Sequence, residues 1–255
     1  MNDKTGEASG TGTLYGIGVG PGDPGLLTLK ALRVLQTSDL IIAPRSASEK
    51  DSTALNTVKE AFNNYGPGET ALPEIHYVTF PMGCEAASGA KASRDINSKV
   101  LFELQKGLHI AFVTLGDPLL YSTYRLIREK AARLTGVALA HIPGVYSFSA
   151  ITARLGRELT YGKQKLAVIP VEKNGDYAEP LKHYDTVVFL KVSTDLAGLL
   201  AQIKKSGRLK ETVLVEKVGL EDEKIYENLD GLSQIFPGDP DKPVHYLSTV
   251  IVFND

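Results

Sequence analysis

The sequence has 255 residues, of which 43% are hydrophobic and 23% charged, and these proportions exclude a disordered chain. With 28 Lys and Arg against 30 Asp and Glu, the net charge is −2, which argues against nucleic acid as a partner. The single cysteine, Cys84, excludes an intrachain disulfide, and no apolar stretch is long enough to span a membrane, so we expect a cytoplasmic protein.

The first half of the chain alternates short apolar runs with longer segments of helical periodicity, which is the pattern of βα units. A disordered polar tail is predicted at 1–13. Strands are predicted at 14–20, 39–44, 75–82, 108–115 and 137–144, and helices at 26–38, 52–63, 92–106, 121–134 and from Ser147. The strand at 108–115 is the most uniformly apolar of these, as strands buried on both faces by crossover helices are, so the pattern predicts an open, mainly parallel sheet.

The second half of the chain is richer in strands and has one long predicted helix, at 196–205. Strands are predicted at 165–171, 185–192, 211–218, 224–229 and 245–253. Short connections between the last three predict a mixed or antiparallel sheet. We therefore predict an α/β protein with an N-terminal domain at 14–118, a C-terminal domain at 119–255 and a cleft between them.

A glycine-rich segment, GIGVGPGDPG at 16–25, runs from the first predicted strand into the loop after it and contains G-x-G-x-x-G at Gly20, Gly22 and Gly25. Pro21 and Pro24 have no amide hydrogen to offer a pyrophosphate, and the second strand ends without an acidic residue, so a classical dinucleotide site is disfavoured. We expect instead a loop poor in side chains at the carboxyl edge of the sheet, where open α/β sheets bind ligands. A simple turn is the alternative, above all for the second PGDP at 237–240.

Two further loops, TLGDPLLYSTY at 114–124 and IPGVYSFSA at 142–150, repeat the plan of strand, glycine turn and hydroxyl-bearing residues. For Ser147 the alternative is a helix N-cap. The five histidines are scattered without metal-ligand spacing, and no G-x-S-x-G nucleophile motif is present. The sequence therefore predicts a site that binds and positions its ligands, with little covalent chemistry by the protein.

Taken together, the three loops resemble the tetrapyrrole (corrin/porphyrin) methyltransferases in order and spacing, from Leu14 to Phe253. The second motif, with APRS at 43–46 and FPM at 80–82, resembles the branch that methylates carbon 20 of precorrin-2 or cobalt-factor II. The resemblance implies S-adenosylmethionine as methyl donor, a tetrapyrrole polycarboxylate as acceptor, a homodimer, no protein-bound metal and a role in cobalamin biosynthesis. It also implies that the N-terminal domain faces the tetrapyrrole and that the C-terminal domain supplies most of the donor site.

The resemblance further implies which residues form the site. Contacts to the donor are expected at Pro21, Leu115, Gly116, Asp117, Leu120, Ser122, Tyr146, Ser147, Lys191, Val192, Lys217, Val218 and Thr249. Asp117 is the candidate for orienting the reactants or accepting the proton, and capping of the Gly-Pro turn is its alternative role. Substrate carboxylates are expected to meet Arg45, Arg154 and Arg157, with Lys50, Lys91 and Arg94 on a flap.

Several alternatives stay open at this point. The same fold methylates other tetrapyrrole positions and also serves diphthamide and ribosomal-RNA methyltransferases, although the net charge argues against RNA. A tetrapyrrole carrier without catalytic activity is an alternative from a different class. A nicotinamide dehydrogenase is a further one, because of the glycine pattern.

Overall fold

The computed structural model describes residues 12–46, 51–66, 71–80, 98–227, 229 and 244–254. The chain divides into two compact units, Met1–Val145 and Tyr146–Asp255. Within the described residues, each unit contains one five-stranded sheet. The predicted α/β fold class, with a parallel sheet followed by a mixed sheet, is confirmed.

The first unit is a parallel sheet with helices on both faces. Its strands are β1 (Thr13–Gly18), β2 (Leu40–Ser46), β3 (Glu74–Phe80), β4 (Ile110–Thr114) and β5 (Ala138–Ile142), in the spatial order β3-β2-β4-β1-β5. Its helices are α1 (Leu29–Thr37), α2 (Thr53–Tyr65), α3 (98–105) and α4 (Tyr124–Ala131). All the strand pairs are parallel.

Alternate side chains of the central strands explain why this sheet has two covered faces. On β4, Ala111 and Val113 pack on the side of α1 and α2, whereas Ile110 and Phe112 pack on the side of α3 and α4. Successive residues of a strand point to opposite faces, so a strand apolar at every position requires helices on both. The uniformly apolar sequence of β4 is therefore a direct consequence of its central place.

The second unit is a mixed sheet. Its strands are β6 (Leu166–Pro170), β7 (Thr186–Leu190), β8 (Thr212–Glu216), β9 (Lys224–Glu227) and β10 (Ser248–Val252), in the order β6-β7-β10-β8-β9. Strands β6 and β7 are parallel, and β10 runs antiparallel to its two neighbours, β7 and β8. The helices are α5 (Ser147–Leu155), α6 (Ala178–His183) and α7 (Leu196–Lys205).

The structure differs from the sequence analysis at the boundary between the two parts. Strand β5 pairs with β1 in parallel register, from Thr13 opposite Ala138 to Ile17 opposite Ile142. Residues 119–145 therefore belong to the first compact unit, whereas the sequence analysis assigned them to the second domain. Helix α6 was also not predicted, because it is short and has Pro180 in its first turn. The predicted tail lies outside the described residues, apart from positions 12 and 13.

Candidate active site

The three sequence motifs meet at the carboxyl edge of the first sheet. Strands β4, β1 and β5 are adjacent and parallel, so the loops that follow them start side by side. After β1 the chain continues to β2 on one side, and after β4 it continues to β5 on the other side. Such a reversal between neighbouring strands is the place where open α/β sheets bind ligands. The loops therefore mark the candidate site in this unit.

Backbone atoms of the three loops are in direct contact, and glycines make this possible. A Cβ on Gly144 would lie 2.0 Å from the carbonyl oxygen of Gly116, and one on Gly18 would lie 2.4 Å from the same oxygen. Gly116 also pairs with Gly20, with N–O distances of 2.8 and 3.4 Å. The prediction of a loop poor in side chains at this edge is thus confirmed by the geometry.

The turn of the first motif is formed as its sequence predicts. The Asp23 carboxylate accepts a hydrogen bond of 2.7 Å from the Gly25 amide, and a short 3-10 turn, Pro24–Leu26, follows. Helix α1 starts only after this turn, where Thr28 caps it through a 3.1 Å bond from the Ala31 amide. A dinucleotide fingerprint requires its glycines to open directly into a helix. The intervening turn supports the conclusion that this loop is of another kind.

Asp117, the candidate for orienting the reactants or accepting the proton, connects the second and third motifs through hydrogen bonds. Its side chain is 7% exposed. One carboxylate oxygen accepts from the Leu119 amide at 2.8 Å and the other accepts from the Gly144 amide at 3.2 Å. Each oxygen keeps a further lone pair. The predicted turn-capping role is therefore present, and proton acceptance stays a prediction.

Asp117→Asn separates these two roles. We expect the free energy of unfolding to fall by about 1–3 kcal/mol, because one backbone N–H would then face the new NH₂ group instead of an acceptor. Urea unfolding and steady-state kinetics on the same preparation measure the effect. A hundredfold loss of kcat at unchanged stability would contradict this expectation and favour a general base, since such bases contribute about 10²–10⁴ in rate.

Ser122 is one of the residues expected to contact the methyl donor, and its hydroxyl forms hydrogen bonds at the start of α4. Its hydroxyl donates to the Thr114 Oγ1 at 3.1 Å and accepts from the Tyr124 amide at 3.2 Å. Between Asp117 and Ser122 the chain passes through Tyr121, which has a φ of 49°. Left-handed backbone at a residue other than glycine is uncommon and clusters at functional sites. Pro21 is buried, and Leu115 and Leu120 are half-buried at the same edge.

Beside Gly16 of β1, the buried Tyr124 contacts the partly buried His141, a contact that the sequence does not predict. The Tyr124 ring covers Gly16, where a Cβ would come within 2.4 Å of it, and makes an edge contact with His141 at 5.7 Å between centroids. Among the described residues, the Tyr124 hydroxyl and His141 Nε2 have no hydrogen-bond partner. Burial raises the pKa of Tyr124 to about 12 and lowers the pKa of His141. Both groups are therefore uncharged at neutral pH.

In the second unit, the remaining residues that are expected to contact the methyl donor lie at one edge of the sheet. Lys191 follows β7 and Lys217 follows β8, on either side of the start of β10. Thr249 on β10 lies 3.2 Å from Ser147 at the start of α5, measured between the two hydroxyl oxygens. Val192 and Val218 are buried next to the two lysines. Ser147 does not cap α5; Tyr146 occupies the N-cap position, without a side-chain bond.

Lys191 and Lys217 share an unusual backbone conformation, with φ of 57° and 54°. A left-handed conformation costs about 1–2 kcal/mol at a residue with a Cβ. Because strain of this kind persists where the surroundings enforce it, it supports a binding role for this edge.

This conformation leads to a prediction for Lys217→Val compared with Lys217→Gly. We expect the valine variant to be less stable than the glycine variant by about 1–2 kcal/mol, because a β-branched residue tolerates positive φ poorly. It should also bind S-adenosylhomocysteine more weakly. The same pair of substitutions at Asn174, with φ of 58° in the loop after β6, is the control. Stability should respond there too, and equal losses of affinity at both positions would contradict a binding role for the Lys217 turn.

The three arginines expected to meet substrate carboxylates have different surroundings. Arg45, just before the end of β2, lies over the Tyr77 ring at 5.1 Å. Arg154 pairs with Glu223 at 3.0 Å, and Arg157 lies over the Phe253 ring at 3.9 Å. Phe253 follows the far end of β10, away from Thr249. Arg154 and Arg157 thus contact partners in different places of the second unit, and substrate binding by the three arginines stays a prediction. The flap candidates Lys50, Lys91 and Arg94 lie outside the described residues.

The described residues contain neither a helix that could span a membrane nor a cluster that could hold a metal ion. Within those ranges, none of the helices combines the length and the apolar character that crossing a membrane requires. Nor do those ranges bring three or more His, Cys, Asp or Glu side chains together in a group that could hold a metal ion.

Comparison with known proteins identifies relatives along almost the whole chain. The family model of Tetrapyrrole (Corrin/Porphyrin) Methylases matches residues 13–232. The cobalt-precorrin-2 C(20)-methyltransferase of Salmonella typhimurium is 29% identical over 94% of this chain and 96% of its own length. A probable cobalt-precorrin-2 C(20)-methyltransferase of Methanocaldococcus jannaschii is 34% identical over 83% of this chain and 85% of its own length.

A solved structure has the same fold. The uroporphyrin-III C-methyl transferase from Thermus thermophilus, in complex with S-adenyl homocysteine, superposes with a TM-score of 0.65 and 21% identity. The match covers 94% of this chain and 97% of that one.

Proposed function

The chain belongs to the tetrapyrrole (corrin/porphyrin) methylase family, and from this premise we propose that it methylates carbon 20 of a precorrin-2-type ring in cobalamin biosynthesis. The methyl donor is S-adenosylmethionine. The acceptor is the cobalt-containing ring, cobalt-precorrin-2 or its oxidised form cobalt-factor II, and the metal-free precorrin-2 is the alternative. The product of the donor is S-adenosylhomocysteine.

The observation that carries this proposal is the similarity to two enzymes named for that reaction. Both are matched over most of their own length, 96% and 85%, so the similarity is not confined to one part of either relative. Both names specify a cobalt-containing ring, which supports the metallated acceptor. The solved relative with S-adenyl homocysteine supports the choice of donor.

In each unit taken by itself, the candidate edge offers backbone or hydroxyl groups that suit a donor molecule. When bound, S-adenosylmethionine supplies a methyl group that its sulfonium has already activated, so the protein needs no strong nucleophile. In the first unit, Gly116 has a φ of 65°, and no atom lies within 4 Å of the place that a Cβ would take. A ligand can therefore approach its peptide groups closely. In the second unit, the Ser147 and Thr249 hydroxyls, 3.2 Å apart, can each accept or donate a further hydrogen bond.

Within this proposal the protein mainly positions and shields the reactants. Holding two reactants in line at about 3–3.5 Å can lower the reaction barrier by roughly 7–11 kcal/mol. Asp117 is suited to orient the second and third loops, because its carboxylate already joins them. Arg45, Arg154 and Arg157 are the proposed partners of the acceptor's carboxylates, and arginine suits carboxylates because it can donate two parallel hydrogen bonds.

A labelling experiment tests the proposal. The purified protein is incubated with methyl-labelled S-adenosylmethionine and, in parallel, with cobalt-factor II, cobalt-precorrin-2 and precorrin-2. We expect label at carbon 20, with the higher kcat/KM on the cobalt-containing rings. Label at another ring carbon would assign the chain to a different position within the family. Tight tetrapyrrole binding in a calorimeter without any turnover would identify a carrier.

The proposal includes a homodimer that acts in the cytoplasm. The single cysteine is compatible with a reducing compartment. Light scattering at micromolar concentration should give twice the mass of the chain. A mass equal to one chain, together with full activity, would contradict the dimer.

A further inference from the structure

The start of β10 is held by a chain of hydrogen bonds that lies outside all three sequence motifs. The Tyr226 hydroxyl donates to Oε1 of Glu216 at 3.2 Å, and Oε2 of Glu216 accepts from the His245 amide at 3.0 Å. The His245 ring in turn accepts, at Nδ1, the amide hydrogen of Leu247 at 3.1 Å. All four residues are partly buried. The imidazole therefore fixes the backbone two residues farther on.

Leu247 connects the His245 ring to the turn after β8, which contains Lys217. Its carbonyl oxygen accepts from the Lys217 amide at 2.8 Å, while its own N–H is bonded to His245. The Ser248 hydroxyl closes the segment by donating to the His245 carbonyl at 2.5 Å. Thr249 follows directly and contacts Ser147. Hydrogen bonds and the chain itself thus connect the His245 ring to the Lys217 turn and to Thr249.

This bond requires an unprotonated Nδ1. A neutral imidazole with its hydrogen on Nε2 accepts at Nδ1, whereas an imidazolium carries hydrogens on both nitrogens and accepts at neither. If Nδ1 were protonated, its N–H would face the Leu247 N–H, and the hydrogen bond between them would be lost. Histidine is the side chain whose ordinary pKa lies near neutral pH, so this change falls in an accessible range.

Charged and titratable groups surround the ring on several elements. Glu216 and Lys217 lie at the end of β8, Asp222 lies in the turn before β9, and Tyr226 lies on β9. Lys217 lowers the pKa of Asp222, mainly through their hydrogen bond, and His245 contributes to the same shift. Burial, with a further contribution from Glu216, raises the pKa of Tyr226. The described groups around the ring are thus two carboxylates, one ammonium group and one phenol.

We propose that His245 is a positioning residue for the methyl donor: its neutral ring holds Leu247, Thr249 and the Lys217 turn in the binding geometry, and protonation of Nδ1 releases them. The inference rests on the proposed function, because it takes this edge of the second sheet as part of the donor site. It follows that the affinity for the donor falls as the pH is lowered through the titration of His245.

Isothermal titration calorimetry with S-adenosylhomocysteine tests the inference on the full chain. The dissociation constant is measured from about pH 5.5 to about pH 8 for the wild type, His245→Asn and His245→Ala. An asparagine side chain can accept from the N–H two residues on, as in an Asx turn, and it does not titrate. His183→Asn, on the exposed face of α6, is the control for a general effect of histidine removal.

The three proteins should give three different profiles. For the wild type we expect the dissociation constant to rise roughly fivefold to tenfold toward acid pH, as one hydrogen bond is lost. His245→Asn should stay tight and flat across the range. His245→Ala should be weaker by a similar factor at every pH, while urea unfolding verifies that it is folded.

Two results would overturn the inference. A wild type and a His245→Asn variant with the same pH profile would show that protonation of His245 has no effect on the donor. A tight, flat His245→Ala variant would show that the ring does not position the site. In both cases the labelling experiment could still succeed, and the proposed function would stand. Failure of the wild type to bind S-adenosylhomocysteine at any pH would reject both proposals together.

Discussion

Gly144→Ala should destabilise the protein by at least about 3 kcal/mol, at the upper end of what overpacking costs. The added Cβ would lie 2.0 Å from the Gly116 carbonyl oxygen and 2.7 Å from the Gly18 carbonyl carbon. Both are backbone atoms, one in the loop after β4 and one in the last residue of β1, so no side chain can rotate away to make room. Urea unfolding followed by circular dichroism measures the loss, and binding of S-adenosylhomocysteine should weaken in parallel because the loops of the candidate site must separate.

Gly156→Ala is the matched control for this substitution. Gly156 has a φ of 63°, and a Cβ placed there would have no atom within 4 Å. Alanine should therefore cost only the backbone strain, about 1–2 kcal/mol, without any steric overlap. An unfolding midpoint for Gly144→Ala equal to or above that of Gly156→Ala would contradict the close contact of the three loops.

Arg208→Ala should lower the free energy of unfolding by about 3–5 kcal/mol, because several hydrogen bonds from one charged group are lost together. The guanidinium, 15% exposed at the side chain, donates to four backbone carbonyls. These belong to Leu181, Tyr184, Asp185 and Phe253. Removing the donor leaves part-buried carbonyl oxygens without a partner and frees the connection between α6 and β7 from the end of β10.

Two further variants serve as comparisons for Arg208→Ala. Arg208→Lys keeps the charge but cannot reach four acceptors, so its stability should lie between those of the wild type and Arg208→Ala. Arg125→Ala removes an exposed pair with Glu129 at 2.6 Å, and the unfolding midpoint should hardly change. If Arg208→Ala unfolded at the same urea concentration as Arg125→Ala, the role of Arg208 in holding the second unit together would be refuted.

The sequence predicts most of the strands and helices of this protein because their periodicity is local. It fails where a property depends on distant residues. The segment of β5 shows its strand character, but its pairing with β1 involves residues more than 120 positions away. No local pattern encodes that pairing, and so the boundary between the two parts was placed too early.

The same distinction applies to the candidate site. Glycine and proline patterns identified the loops around Gly20, Gly116 and Gly144, because conformational freedom belongs to single residues. The roles of Glu216 and His245 depend on contacts between β8 and β10, and the sequence offered no sign of them. Arg154 and Arg157 look like neighbours on one helix. Gly156 ends α5 between them in a left-handed conformation and directs Arg157 to Phe253.

The place of β10 has a consequence for the biosynthesis of the protein. This strand lies at the centre of its sheet, between β7 and β8, although it follows all the other strands along the chain. While the ribosome is still translating residues 248–252, β7 and β8 cannot pair with their final neighbour, and both present unpaired edges. The first sheet is already fully translated by then. We therefore expect the nascent chain to fold from its first unit, and a chaperone that shields open strand edges should bind the second unit until β10 has been translated.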